Sequence, residues 1–193
     1  MTGDISNVGG RPAAVDKKLQ QVLYQELGSA AADFLLIPRD GPSLPRLSFN
    51  LPAVMAYCSA YCAQSAGNDC PDGSFPLDCT HFVAHSLSKS KILVNLPTAV
   101  CANGVCVRVA ELAAAFLNST GSYTNVKRIN ELSDSRAGDF CFVVSWFGVA
   151  KDHVMILADT ISGARGRVYG HTNNRCGELV DLTEQDLVIY RIE

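Results

Sequence analysis

Charge of either sign is scarce in this sequence: 18% of its 193 residues are charged and the formal net charge is -3. Its sixteen Lys and Arg are scattered without a basic stripe, so a reader of nucleic-acid phosphates is not expected. Long apolar runs are missing too. The segment Phe34-Leu35-Leu36-Ile37 is far too short to span a bilayer and is closed by Pro38, so no transmembrane segment is expected. Met1 to Arg11 is polar and glycine-bearing, with no charged region followed by an apolar one. An ordinary secretory signal is therefore absent, and synthesis in the cytoplasm is the expectation. There is no internal repeat and no low-complexity tract.

The eight cysteines lack the two-residue gap of a zinc knuckle or a thioredoxin-like site, which argues against a structural metal, and no cofactor motif is present. Cys101-Ala-Asn-Gly-Val-Cys106 flanks an Asn103-Gly104 turn that brings two sulfurs close. If the protein ends in an oxidising compartment, that pair is a candidate disulfide; in a reducing cytosol both are thiols.

What the sequence does have is 48% hydrophobic residues, enough for one compact core. Ala13 to about Phe34 carries Val15, Leu19, Val22, Leu23 and Leu27 at helical spacing. Pro38 to Pro45 reads as a stiff loop. A second helix is predicted over Leu51 to Ala66, capped by Asn50 with Pro52 in its first turn. A third contains Cys79, and a fourth runs from Val109 to Asn118.

The second half changes character. Phe140 to Trp146, Asp152 to Leu157, Arg167 to His171 and Leu187 to Ile192 are short β-rich runs, expected as consecutive antiparallel strands. Helices first and a meander afterwards predict an α+β domain with helices packed on one face of the sheet. The expected division is a helical extension and loop over 1–48 and the main domain over 49–193.

Asp78-Cys79-Thr80-His81-Phe82-Val83 follows a loop rich in Gly and Pro, so Cys79 falls in the first turn of its helix. Unpaired N–H groups and the positive end of the helix dipole favour a thiolate there, and the thiolate is the nucleophile. A cysteine nucleophile needs an imidazole to take its proton, and a third polar group to hold that imidazole. His81 and His85 share the helix of Cys79 at spacings that point away from the thiol, and read better as helix-surface or core-edge residues. No Glu follows His81 as a zinc-protease helix would require. His153 opens an apolar strand, and His171 ends the next one, so a hairpin would bring the second to the first.

Several of these motifs, in this order, resemble the papain-like NlpC/P60 and CHAP superfamily, most closely its amidase branch. They are Phe49 to Tyr57, Asp78-Cys79-Thr80-His81-Phe82-Val83-Ala84, Gly138-Asp139-Phe140, Asp152-His153-Val154 and His171-Thr172-Asn173. The likeness covers roughly Phe49 to Asp181, and the cysteine motif is its most specific part. It implies a papain-like NlpC/P60 fold with N-terminal helices on an antiparallel sheet. It also implies Cys79 as nucleophile, His153 as general base and acid, and His171 as the orienting residue, with Asn173 or Asn174 as the alternative third member. The backbone N–H of Cys79 would be an oxyanion donor.

The implied activity is cysteine-dependent amidase or peptidase hydrolysis, with bacterial cell-wall peptidoglycan peptide as substrate. The biological setting it suggests is a secreted antibacterial effector, delivered to a target periplasm or cell wall and countered by a cognate immunity or inhibitor protein. Two departures matter: the family's Asn is His81 here, and its Ser-Gln is Ala84-His85, which points to a substrate other than the usual one. An acyltransferase or deamidase acting on a protein, or an inactive peptide-binding domain, stays open on the same residues.

Overall fold

A computed structural model describes residues 19–38 except 22, 45–63, 79–95, 108–143, 153–161, 165–171, 175–183 and 187–193. Helix α1 covers residues 19–21 and 23–27. It ends earlier than its periodicity predicts because Gly28 turns left-handed at φ 61°, and a 3-10 turn over Gly28–Ala32 follows. The apolar run beyond it is a strand, β1 (Leu36–Pro38), paired antiparallel with β2 (Ile92–Val94). Leu19, Leu23, Phe34 and Leu36 are all buried in the same core as the rest of the chain.

Helix α2 (Leu51–Tyr61) starts as its sequence predicts: the Asn50 side chain accepts a hydrogen bond from the Ala53 N–H at 3.1 Å, and Pro52 occupies the first turn. It stops at Tyr61, short of the predicted Ala66. Helix α3 (Cys79–Ser88) and helix α4 (Val109–Ser122) complete the helical half.

A six-stranded antiparallel sheet has the order β3-β8-β4-β5-β6-β7. Its strands are β3 (Val126–Ile129), β4 (Phe140–Val143), β5 (His153–Ile161), β6 (Arg165–Gly170), β7 (Arg175–Asp181) and β8 (Leu187–Ile192). The chain is thus mixed helix and sheet, as composition and pattern predict. The meander is incomplete, however: the C-terminal strand β8 inserts between β3 and β4. Strands β3 and β7 carry charged and polar residues along their length, a pattern too weak to be read as strand from hydrophobicity.

Alternation divides the sheet into two apolar faces. Phe140, Phe142, Val154, Ile156, Val188 and Tyr190 meet Phe82 and Phe116 of the helices in the main core. Cys141, Met155, Leu157, Val168 and Ile189 form a smaller core on the other face. Phe116 lies 4.9 Å from Phe140 and 5.5 Å from Tyr190 between ring centroids, and so locks α4 to β4 and β8.

The Gly138-Asp139 motif serves this frame. Gly138 has φ 89°, and a Cβ built on it would collide with Leu51 Cδ1 of α2, so only glycine fits. The buried Asp139 carboxylate accepts from Arg191 Nε at 2.7 Å and Nη2 at 2.8 Å, and from the Arg136 N–H at 2.8 Å. These bonds tie the turn before β4 to β8, its neighbour in the sheet.

Candidate active site

Cys79 is the first residue of α3 and is buried. Loop residues before it lie outside the described residues, Asp78 among them. On the thiol, Sγ has Thr80 Oγ1 at 3.9 Å. The other described free thiols, Cys58 and Cys141, are buried as well. Burial pushes Cys58 up to about 12, and burial followed by the charge of Asp139 pushes Cys141 up further. Both are thiols without nucleophilic character at neutral pH.

Helix α3 packs across β5 and β6. His153 is the first residue of β5 and is half-buried, with Nε2 shielded from solvent and without a hydrogen-bond partner. Its ring is pushed down to about 4, first by desolvation and then by the positive charge of Arg175. Above that pH the imidazole is neutral and can accept a proton. Alternation sets His153 on the face of Met155 and Leu157; a Cβ on Gly170 would meet Met155 Cγ at 3.5 Å and His153 Nε2 at 3.8 Å. The described residues hold no hydrogen bond between Cys79 and His153.

His171 follows β6 and lies on the opposite, helix-facing side, fully buried. Its ring stacks on Phe82 of α3 with centroids 4.2 Å apart and planes at 29°. Phe82 is one turn along the helix from Cys79, so His171 sits over the same end of α3. Its Nε2 is 2.8 Å from the Tyr61 carbonyl oxygen, which accepts from the ring and fixes Nε2 as the protonated nitrogen. That carbonyl belongs to the last turn of α2, where backbone oxygens lack intrahelical partners. The two strand histidines are therefore separated by the sheet rather than joined. Asn173 and Asn174, the alternative third residues, lie outside the described residues.

His81 and His85 are not helix-surface residues. Both are buried, with ring centroids 4.5 Å apart in an edge contact, and His85 stacks on Tyr57 of α2 at 6.1 Å. Tyr57 in turn stacks on Tyr61 at 4.8 Å. The i, i+4 spacing directs both rings inward because α3 is covered by α2 on one side and by β5 and β6 on another. Among the described residues no cluster of three metal-ligating groups occurs.

A feature that spacing did not reveal lies beside His171. Cys62, immediately after α2, is bonded to Cys176 of β7, with Cα atoms 5.2 Å apart and a sequence separation of 114. No local signal marks such a pair; it is legible only once α2 is laid against the β6–β7 hairpin. The Cys101 and Cys106 pair lies outside the described residues.

Among the described residues no helix is long and apolar enough to cross a membrane. No family model, no curated protein and no solved structure matches the chain, and its likeness to the NlpC/P60 and CHAP superfamily rests on its motifs.

Proposed function

We propose that the protein is a cysteine-dependent amidase or peptidase in which Cys79 is the nucleophile and His153 the general base and acid. One observation carries the reading: a cysteine opens a helix that packs on the strand opened by a neutral histidine with a buried, unpartnered ring nitrogen. In the proposed reaction Cys79 Sγ attacks the amide carbon while its proton passes to His153. The imidazolium protonates the departing amine, and the neutral ring then deprotonates the water that cleaves the thioester.

A ring that prefers its neutral form takes the thiol proton only when the thiolate beside it compensates the new charge. The reaction therefore requires the His153 ring to swing around the strand end towards α3. His171, or Asn173 in its place, is the orienting residue.

A second assignment exchanges the histidines, and a specific observation favours it. His171 already lies on the α3 side, its ring held by the Tyr61 carbonyl in the way a backbone acceptor fixes a catalytic imidazole. The substrate proposed in either case is bacterial cell-wall peptidoglycan peptide, and the setting is an effector delivered to a target periplasm or cell wall with a cognate inhibitor. The Cys62–Cys176 disulfide is compatible with such an oxidising destination.

The test is turnover of purified peptidoglycan by wild type and Cys79→Ala. Release of muropeptide fragments by wild type alone supports the reading. Equal release by both removes Cys79 from the chemistry, and a transferred or deamidated product in place of a hydrolysed one reassigns the reaction to the acyltransferase or deamidase class.

A further inference from the structure

We propose that the Cys62–Cys176 disulfide is a positioning device: its formation locks the end of α2 to β7 and thereby holds His171 in place beside the Cys79 end of α3. The inference rests on the reading of Cys79 as nucleophile, and it holds whether His171 orients the base or is the base.

Two ties join the same two elements. On the helix side they start from adjacent residues, the Tyr61 carbonyl and the Cys62 sulfur. On the sheet side they end in one hairpin: Cys176 faces Tyr169 across the β6–β7 pairing, and His171 comes two residues after Tyr169. The disulfide therefore sets how closely the last turn of α2 approaches the residue that must donate to it. A hydrogen bond to one terminal carbonyl is weak enough for the turn to fray, whereas a covalent link closing so long a loop strongly restricts the separation of its ends.

The chemistry balances with a disulfide oxidant, either glutathione disulfide or the disulfide of a thiol–disulfide oxidoreductase. Cys176 is exposed and Cys62 buried. The Cys176 thiolate attacks one sulfur of the oxidant and expels the other as a thiol. The Cys62 thiolate then attacks Cys176 Sγ in the mixed disulfide and expels the second thiol. Two protein thiols lose two electrons and two protons, and one oxidant disulfide becomes two thiols. In a glutathione-reduced compartment the reverse exchange enters at the exposed Cys176 side. The site is then loosened where the chain is synthesised and set where disulfides persist.

The test uses the full chain and iodoacetamide, with alkylation of Cys79 followed by mass spectrometry at neutral pH. Oxidised wild type is compared with Cys62→Ser/Cys176→Ser, and with wild type reduced by dithiothreitol and freed of it, so that a folding defect in the serine variant does not decide the outcome. Circular dichroism reports that each sample is folded. Loss of the disulfide should slow Cys79 alkylation about 10-fold, the scale of one hydrogen bond.

His171→Ala should slow it to a similar degree, and adding Cys62→Ser/Cys176→Ser to His171→Ala should change nothing more. A disulfide acting only on global stability would not show that dependence on His171. Equal rates with and without the disulfide, or losses that multiply in the triple variant, overturn the proposal. A rate in oxidised wild type no faster than in the urea-unfolded chain overturns the nucleophile reading itself, and is told apart because the defect is already present with the disulfide intact.

Discussion

His153 and His171 sit at neighbouring ends of paired strands, yet the sheet gives them opposite surroundings. His171 faces the helices, sealed against Phe82 and bonded to the end of α2. His153 faces the smaller core beside Met155, half-buried near Arg175, with its inner nitrogen unpartnered. The first environment holds a ring still; the second keeps a ring neutral. A base in this chemistry needs both properties, and the fold supplies them to two different residues. Residue type and strand order are insufficient to rank catalytic partners, because the parity of a strand position decides which face a side chain joins.

Removing each ring in turn should have the largest effect. With His153 as the base, His153→Ala should lower turnover of peptidoglycan about a thousandfold and His171→Ala much less. Steady-state rates on one substrate preparation read both, and the reverse ranking transfers the role of base to His171.

Next in size is the pH dependence of stability. His153 has a folded-state value of about 4 against about 6.5 for an unfolded histidine. Between those values the unfolded chain binds more protons than the folded one, so stability rises with pH across the window and is fully expressed above about 6.5. Denaturant melts at pH 7 and pH 4 should show a loss on acidification of which about 2 kcal/mol belongs to this group after allowance for its partial exposure. His153→Gln should flatten that part of the slope, and an unchanged slope would show that the ring is solvated in the folded protein.

A smaller effect is expected around His171. Phe82→Leu keeps most of the apolar volume but removes the surface on which His171 stacks, and should cost about 1 kcal/mol in chemical denaturation. A His171 ring resonance displaced by this change, with that of His153 unmoved, would mark the two environments as independent. The smallest effect expected is from Arg175→Gln. Removing the lesser of the two causes that depress His153 should raise its titration midpoint by a fraction of a unit in an NMR titration, while a lowered midpoint would contradict the assigned charge effect.

Much of the frame was legible in local chemistry. Asn50 and Pro52 announce the start of α2, and the observed cap bond is the one those residue types make. The short apolar run Val154-Met155-Ile156-Leu157 identifies a strand, and its alternate residues fall into the two cores. Cys79 falls at the first residue of a helix, as the loop before it predicts. Less legible was anything that depends on a distant partner. Leu36-Ile37-Pro38 was not read as a strand, because so short an apolar run closed by a proline shows no period and β1 exists only through its pairing with β2. His81 and His85 looked like helix-surface or core-edge residues because α2 and the sheet, which bury them, are remote in sequence.

By itself the sequence determined the element types, the mixed helix-and-sheet class and a cysteine at a helix start, since periodicity, caps and turn residues act within a few positions. Only the tertiary structure decided that β8 lies between β3 and β4, that His171 leans on Phe82 and the Tyr61 carbonyl while His153 faces away, and that Cys62 meets Cys176. Those outcomes come from burying one sheet face against helices far along the chain while the other face closes a second, smaller core, a global packing condition that no local window of residues encodes.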